Sequence, residues 1–152
     1  MYSKEEFDIQ KTKVLKYILY KKRSEYEIRM KFSKIINEDM LDDIIAYLIE
    51  AGYINDTQYI ERAVNEFIAL KKMCIREIKY KLMNKGISKD LIEEYITNHQ
   101  EELEDYELES AKEIVIRKEY QMQADEIRTF LIKKGYQEEN VKEAMEELEK
   151  TE

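Results

Sequence analysis

A short motif recurs three times along the chain at nearly constant spacing. The tripeptide Glu27-Ile28-Arg29 returns as Glu77-Ile78-Lys79 and again as Glu126-Ile127-Arg128. Apolar residues upstream and downstream of each copy recur in step with it, with insertions only where turns are expected. A period of this length is typical of arrays in which one supersecondary unit stacks on the next. The spacing therefore predicts three tandem units.

Each unit reads as three helices, because apolar residues at i, i+3 and i+4 give every segment one buried stripe. The chain contains no proline and only three glycines, and its charged residues (39%) are interleaved with apolar ones (43%). That composition favours an all-α protein. We predict helices over residues 12–22, 24–35, 40–51, 57–72, 74–85, 88–102, 105–119, 123–134 and 138–150.

The predicted fold is therefore all-α, with three tandem three-helix repeats stacked into an elongated, curved, solenoid-like molecule. A unit of this size buries too little surface to be stable by itself, so stacking is expected to complete its core. The N-terminal segment and repeat 1 occupy residues 1–56, repeat 2 occupies 57–104 and repeat 3 occupies 105–152.

Residues that begin and end helices agree with this division. Ser24 and Glu27 have the spacing of a capping box at a helix start. Gly86 and Gly135 follow the second helices of units two and three, where a left-handed residue closes the last turn. Asp56 is the expected N-cap of the next helix.

The tyrosines fall into two groups. Three recur at core positions of the repeat and are expected to pack there: Tyr17, Tyr47 and Tyr95. Three others lie outside the apolar stripe and are candidate contact residues: Tyr20, Tyr26 and Tyr80.

Nothing in the sequence indicates catalysis. His99 is the only histidine and lies at an expected helix end, while Cys74 is the only cysteine and is expected to be a semi-buried apolar residue. Three isolated glycines do not form a phosphate-binding loop. We expect a non-enzyme with no catalytic residue, no cofactor and no metal. The single cysteine and the lack of a long apolar run predict a cytoplasmic protein that makes no membrane contact. We also expect it to be monomeric.

Positive charge is concentrated in two segments, although the net charge is −8. Residues 11–34 hold nine lysines and arginines against two acids, and residues 71–89 hold seven against one. The equivalent helices form a candidate basic stripe for binding: Arg23, Arg29, Lys31, Lys34, Lys71, Lys72, Arg76, Lys79, Lys85, Arg128, Lys133 and Lys134. Acids concentrated on the third helices would back this stripe, so a target of mixed charge, such as a nucleoprotein, fits better than free nucleic acid.

Four motifs in order resemble the RecX family of regulatory proteins. They are Arg23-Ser24-x-x-Glu27-Ile28 followed by Phe32, Leu48-x-x-x-Gly52-Tyr53-Ile54-x-Asp56-x-x-Tyr59, Leu82-x-x-Lys85-Gly86-Ile87, and Phe130-Leu131-x-x-Lys134-Gly135-Tyr136. The resemblance implies tandem three-helix repeats and a non-catalytic protein. It also implies binding in the groove of RecA filaments on single-stranded DNA, with inhibition of ATPase, strand exchange and coprotease activity.

Two other functions agree with the residues alone. The basic stripe is also expected of a helical repeat protein that binds DNA directly, and some direct DNA contact is expected even for a filament regulator. A general helical scaffold for protein interactions is the other alternative, and its complexes would not depend on DNA.

Overall fold

The computed structural model describes residues 2–151, except the side chains at positions 149 and 151. Helices are the only regular elements in that range. They are α1 (Lys4–Tyr20), α2 (Glu25–Phe32), α3 (Glu38–Glu50), α4 (Asp56–Leu70), α5 (Ile75–Asn84), α6 (Lys89–Asn98), α7 (Gln100–Lys118), α8 (Ala124–Lys134) and α9 (Glu138–Thr151).

Three clusters of buried side chains follow one another along the chain. The first is built from α1–α3, the second from α4–α6 with the start of α7, and the third from α7–α9. The exposed surface is 10335 Å², whereas a compact monomer of 18.5 kDa would expose about 8,200 Å². The excess surface is that of an elongated stack, so the predicted all-α array of three-helix repeats is confirmed. The unit boundaries after residues 56 and 104 stay a prediction.

The repeated motif supplies the centre of each cluster. Ile28, Ile78 and Ile127 are at most 1% exposed. The apolar residue four positions later lies on the same helix face and is also buried in all three units. Conservation of this isoleucine from unit to unit within the chain therefore reflects packing.

Two helix boundaries differ from the prediction. α1 begins at Lys4 rather than near residue 12, because Ser3 caps it by accepting from the Glu6 amide at 3.1 Å. The helix predicted over 88–102 ends at Asn98, where His99 turns the chain with φ −122° and ψ 23°. The residues after His99 start α7, whose length of 19 residues spans two clusters.

The predicted capping box is confirmed, with the Ser24 hydroxyl accepting from the Glu27 amide and the Glu27 carboxylate from the Ser24 amide, both at 3.1 Å. The prediction of Asp56 as an N-cap is wrong. Asn55 caps α4 by accepting from the Gln58 amide, while Asp56 is the first helical residue and bonds to the preceding unit.

The tyrosine positions are only partly as predicted. Tyr17 and Tyr95 are half-buried against the first and second clusters. Tyr47, predicted in the core, is instead 48% exposed. It lies at the surface, where Phe7 from the early turns of α1 contacts one edge of its ring. Lys11 covers the same ring at 4.6 Å from its centroid.

Candidate functional site

Consecutive units meet through the same contact at both of their joints. At joint one, between units one and two, Ser24 Oγ donates to the Lys85 carbonyl at 2.6 Å. At joint two, between units two and three, Cys74 Sγ donates to the Lys134 carbonyl at 3.5 Å. These pairs are related by the repeat spacing. Both joints therefore place the start of one second helix against the end of the next second helix.

Two glycines permit this close approach. A Cβ atom at Gly86 would lie 2.0 Å from Cβ of Tyr26, and one at Gly135 would lie 3.2 Å from Cys74 Sγ. Both glycines also have positive φ, 76° and 112°, as the sequence predicted. The repeated glycine thus ends a helix and makes room for the preceding unit.

An acid from the following unit completes each joint. The Glu25 amide donates to Asp56 Oδ1 at 3.1 Å, and the Ile75 amide donates to Glu107 Oε1 at 3.0 Å. These amides lie in first turns, which lack partners within their own helices. Burial raises the pKa of the Asp56 carboxyl, opposed by the bond from the Glu25 amide.

Joint one forms one wall of a basic groove of about 370 Å³. We call this the first basic groove. Its cations are Lys21 and Lys22 directly after α1, Arg62 from α4, Lys81 from α5 and Lys85 directly after α5. Half-buried Tyr59 and Phe67 contribute aromatic surface, and Glu66 is the acid among the lining residues.

A second basic groove of about 300 Å³ lies one repeat further along. Its cations are Arg117 and Lys118 from the end of α7 and Lys134 from the end of α8. The Lys134 Nζ atom also donates to the Lys72 carbonyl at 3.2 Å, which ties this groove to unit two. Phe130 lies in the wall with Lys118 Nζ 4.8 Å from its ring centroid.

The two grooves overlap in repeat position. Lys85 corresponds to Lys134, and Phe67 at the base of the first groove corresponds to Ile114 at the base of the second. Each groove lies between the first and second helices of its unit. Their other cations come from positions that are not equivalent, since Lys21, Lys22, Arg62 and Lys81 have no cationic counterpart in the second groove.

The repeated basic residue of the motif has local ion-pair partners in the first two units. Arg29 pairs with Glu25 at 3.3 Å and with Asp42 at 2.5 Å, and Lys79 pairs with Glu93 at 3.3 Å. Arg128 is exposed and forms no ion pair with any of the side chains that the structure describes. Arg29 and Lys79 thus link the second and third helices of their own units.

The rest of the candidate stripe is mostly solvent-facing. The exposed members are Lys31, Lys34, Lys71, Lys72, Arg76, Lys85 and Lys133. Arg23 is half-buried, with its guanidinium 4.1 Å from the Tyr17 ring centroid. Lys134 is half-buried and lies 3.9 Å from Glu77, and Lys85 lies 3.8 Å from Glu27. These last two pairs are again equivalent and belong to the joints.

Several groove cations fall outside the residues selected from the sequence. They come from different parts of the chain, and nothing in their local sequence places them together. These cations are Lys21, Lys22, Arg62, Lys81 and Arg117. The available signal was the pair of lysines ending α1, which recurs as Lys71-Lys72 at the end of α4. The candidate contact tyrosines Tyr20, Tyr26 and Tyr80 are 87%, 46% and 52% exposed.

The two residues considered for chemistry have structural contacts. His99 Nδ1 lies 2.8 Å from the Tyr95 carbonyl, and its ring stacks on that tyrosine. Burial raises the pKa of the Cys74 thiol, which disfavours the reactive thiolate. Within the part of the chain that is described, no three His, Cys, Asp or Glu side chains are grouped so as to hold a metal ion. None of the helices described has the length and apolarity that crossing a bilayer requires.

The fold and its surfaces define a class: an all-helical tandem-repeat protein with cationic grooves beside its inter-unit joints. Two solved structures share this fold. The crystal structure of RecX from Lactobacillus salivarius matches with a TM-score of 0.80 and 24% identity, covering 95% of this chain and 97% of that one. A crystal structure of regulatory protein RecX matches with a TM-score of 0.79 and 20% identity, covering 92% of this chain and 73% of that one.

Sequence relatives give the family. Regulatory protein RecX of Finegoldia magna is 33% identical over 144 residues, covering 87% of this chain and 66% of that protein. Regulatory protein RecX of Staphylococcus carnosus is 32% identical over 139 residues, covering 89% of this chain and 52% of that protein. No family model matches. The chain belongs to the RecX family, and it spans about half to two thirds of the length of these two relatives.

Proposed function

We propose that this chain is a non-catalytic regulator that binds along RecA filaments on single-stranded DNA. In this proposal it lies in the filament groove and inhibits ATPase, strand exchange and coprotease activity. It acts in the cytoplasm as a monomer. The name of its relatives, regulatory protein RecX, supports a regulatory role, and the motifs quoted above carry the link to RecA.

The observation that carries the proposal is the recurrence of cationic grooves in successive units of an elongated stack. A filament of identical subunits presents the same contacts at regular intervals, so a binder with regularly spaced equivalent surfaces can engage several subunits at once. Linked contacts raise the overall affinity well above that of any single one. A compact partner with one site would gain little from the second groove.

The charge distribution supports a nucleoprotein rather than naked DNA as the target. Basic residues are concentrated on the second helices and groove rims, whereas the third helices are acidic, including Glu38, Asp39, Asp42 and Asp43 in the first unit. Surfaces of both signs complement a partner that carries both protein and phosphate. We propose that the candidate basic stripe contacts the filament, and that exposed Arg128 is one of the residues that make this contact.

An ATPase titration tests the function directly. Preformed RecA filaments on single-stranded DNA are mixed with increasing amounts of the protein, and hydrolysis is followed continuously. We expect hydrolysis to fall, with half-inhibition at a protein concentration far below the one that saturates bare DNA of the same length. Unchanged hydrolysis at full filament binding would overturn the proposed inhibition.

Arg128 and Arg29 provide a matched pair for the stripe. Replacement R128E reverses a charge that has no described ion-pair partner, so we expect weaker filament inhibition with unchanged stability. Replacement R29Q removes local ion pairs at half-exposed positions and should lower stability by under about 1 kcal/mol. Equal inhibition by R128E and wild type would remove Arg128 from the contact surface.

A further inference from the structure

The two basic grooves have an excess of positive charge that the protein itself does not neutralise. Lys21 and Lys81, both exposed, form no ion pair within the described residues, and neither does Arg117 in the second groove. Glu66, the acid lining the first groove, lies 3.9 Å from Arg62. The second groove has no acid among its lining residues. An anionic ligand would therefore meet mostly unpaired cations in both.

The types of side chain suit a phosphate ligand. Four of the five cations in the first groove are lysines, which bind phosphate as compact point charges. The guanidinium fork of arginine, present in both grooves, also matches phosphate. Half-buried Tyr59 and Phe67 in the first groove and Phe130 in the second add aromatic surface beside the cations. Cations along a groove with neighbouring aromatic rings are typical of sites for single-stranded nucleic acid.

The size and repetition of the grooves point to one extended strand. Volumes of about 370 and 300 Å³ leave room for a stretch of sugar–phosphate backbone in each groove. The grooves lie in adjacent units, so one polymer can supply phosphates to both. A mononucleotide would occupy one groove and gain nothing from its repetition.

We propose that the two basic grooves bind successive stretches of the sugar–phosphate backbone of one single-stranded DNA. Lys21, Lys22, Lys81 and Lys85 contact phosphates in the first groove, and Arg117, Lys118 and Lys134 contact them in the second. This inference rests on the proposed function, because a filament assembled on single-stranded DNA brings such a strand close to its regulator. It adds a ligand and a place on the surface that filament binding alone does not require.

The test uses fluorescence anisotropy with a labelled oligothymidylate of about 20 nucleotides, longer than a typical single site. The variants K21E/K81E and R117E/K118E reverse charges in one groove each, and none of these four residues forms an inter-unit hydrogen bond or ion pair in the structure. The control K89E/K142E makes the same change in net charge at exposed lysines outside both grooves. Thermal unfolding followed by circular dichroism verifies that all three variants remain folded.

We expect each groove variant to weaken oligonucleotide binding by about tenfold or more and the control by less than about threefold. The dependence of log affinity on log salt should become shallower by about 0.7 for each phosphate contact that is lost. Equal losses in the control and in the groove variants would overturn the inference. So would competition by polyglutamate as effective as that by unlabelled oligothymidylate, since carboxylate would then serve as well as phosphate.

Parallel ATPase titrations separate this inference from the proposed function. Wild-type protein that inhibits the filament ATPase but does not bind oligothymidylate even at low salt would overturn the groove assignment and leave filament regulation standing. Oligonucleotide binding that depends on the grooves, without any inhibition, would support the groove assignment and overturn the proposed regulation. Loss of both activities in the groove variants alone would support both.

Discussion

Joint one and joint two have the same geometry, but only joint two links the core clusters of its two units. At joint two, Cys74 from unit two belongs to the third core cluster, while Leu103 and Tyr106 of α7 belong to the second. Hydrogen bonds from the Tyr106 hydroxyl to the Met73 carbonyl at 2.6 Å and from Ser110 to the Lys71 carbonyl at 3.1 Å reinforce this exchange. Units two and three therefore share their cores.

Joint one has no such exchange. The buried residues of the first cluster all lie between Val14 and Ile54. The polar contacts to unit two include the Ser24, Glu25 and Glu27 pairs described above and a bond from Lys22 Nζ to Gln58 Oε1 at 3.0 Å. Polar contacts contribute less net stability than apolar burial of similar extent, because water competes for them. We expect unit one to separate from unit two before units two and three separate from each other.

The difference shows how a repeat can keep its geometry while its chemistry changes. A serine hydroxyl at joint one is a cysteine thiol at joint two, and the joint acid is an aspartate at the start of α4 in one case and a glutamate inside α7 in the other. The longer glutamate side chain reaches a third element, since its second oxygen accepts from the Gln137 amide and from Asn140 Nδ2. The longer side chain of Glu107 thereby gives joint two a polar network that joint one lacks.

The largest expected effect tests whether the glycine at joint one is needed for approach as well as for conformation. Replacement G86A introduces a Cβ that overlaps the Tyr26 side chain and also imposes strain at φ 76°. We expect a loss of about 3 kcal/mol in the free energy of unfolding. Gly52 is the matched control, with φ 85° and nothing within 4 Å of an added Cβ. Its replacement by alanine should cost only about 1 kcal/mol.

Urea unfolding measures both losses, and small-angle X-ray scattering reports whether G86A opens joint one instead of unfolding the chain. Losses of the same size in G86A and G52A would show that φ alone explains the glycine. G135A should fall between them, because its nearest contact is the flexible Arg76 side chain at 3.0 Å.

The next effect compares the two joint acids. Glu107 is fully buried, and E107A leaves three donors without an acceptor: the buried Ile75 amide and Asn140 side chain and the part-buried Gln137 amide. We expect a cost of about 3 kcal/mol for E107A and about 1 kcal/mol for D56A, which removes the partner of one amide only. Chemical denaturation of the two variants in parallel checks this order. A larger loss in D56A would make joint one the stronger of the two.

A smaller effect compares the equivalent residues that start the two helices. Ser24 accepts from the Glu27 amide and donates to the Lys85 carbonyl, so S24A should cost about 1 kcal/mol. Cys74 makes no side-chain cap bond to its own helix, and C74S offers a new hydroxyl at a buried site, so the two effects should cancel to within about 0.5 kcal/mol. Thermal unfolding of both variants tests the contrast. A loss in C74S as large as in S24A would mean that apolar packing at Cys74 outweighs the cap.

The sequence predicted the fold well because the relevant signals are local. The burial of Ile28, Ile78 and Ile127, the capping box and the left-handed glycines all depend on residues within one helix or turn. The break at His99 was missed because residues on both sides continue a helical pattern, and the turn is set by packing of α6 and α7 against different neighbours. The role of Asp56 was predicted wrongly because its bond from the Glu25 amide crosses between units and leaves no local signal in the sequence.

The candidate site was less accessible to sequence reasoning for the same reason. Basic character at Arg29 and Lys79 is visible in the motif, but their pairing with Asp42 and Glu93 depends on how adjacent helices pack. Lys21 and Lys81 are far apart in sequence and line one groove only because unit one stacks on unit two. Repeat analysis finds equivalent positions, whereas a groove requires knowledge of which units touch and at what angle.

The smallest expected effect concerns the pH dependence of joint one. Burial raises the pKa of Asp56 above its ordinary value of 3.8, so the folded state favours the protonated carboxyl. Well below the ordinary pKa the carboxyl is protonated in both states, and its raised pKa does not affect stability. As the pH rises from there through the folded pKa, the unfolded state loses its proton first, so the free energy of unfolding falls. D56N keeps an oxygen acceptor for the Glu25 amide but does not titrate. The unfolding free energy of D56N relative to wild type should therefore rise between about pH 4 and about pH 7, by under about 1 kcal/mol because the carboxyl remains partly solvated. Urea titrations across this range measure the difference, and a difference that falls with pH would mean that the bond from Glu25 stabilises the charged carboxylate more than burial penalises it.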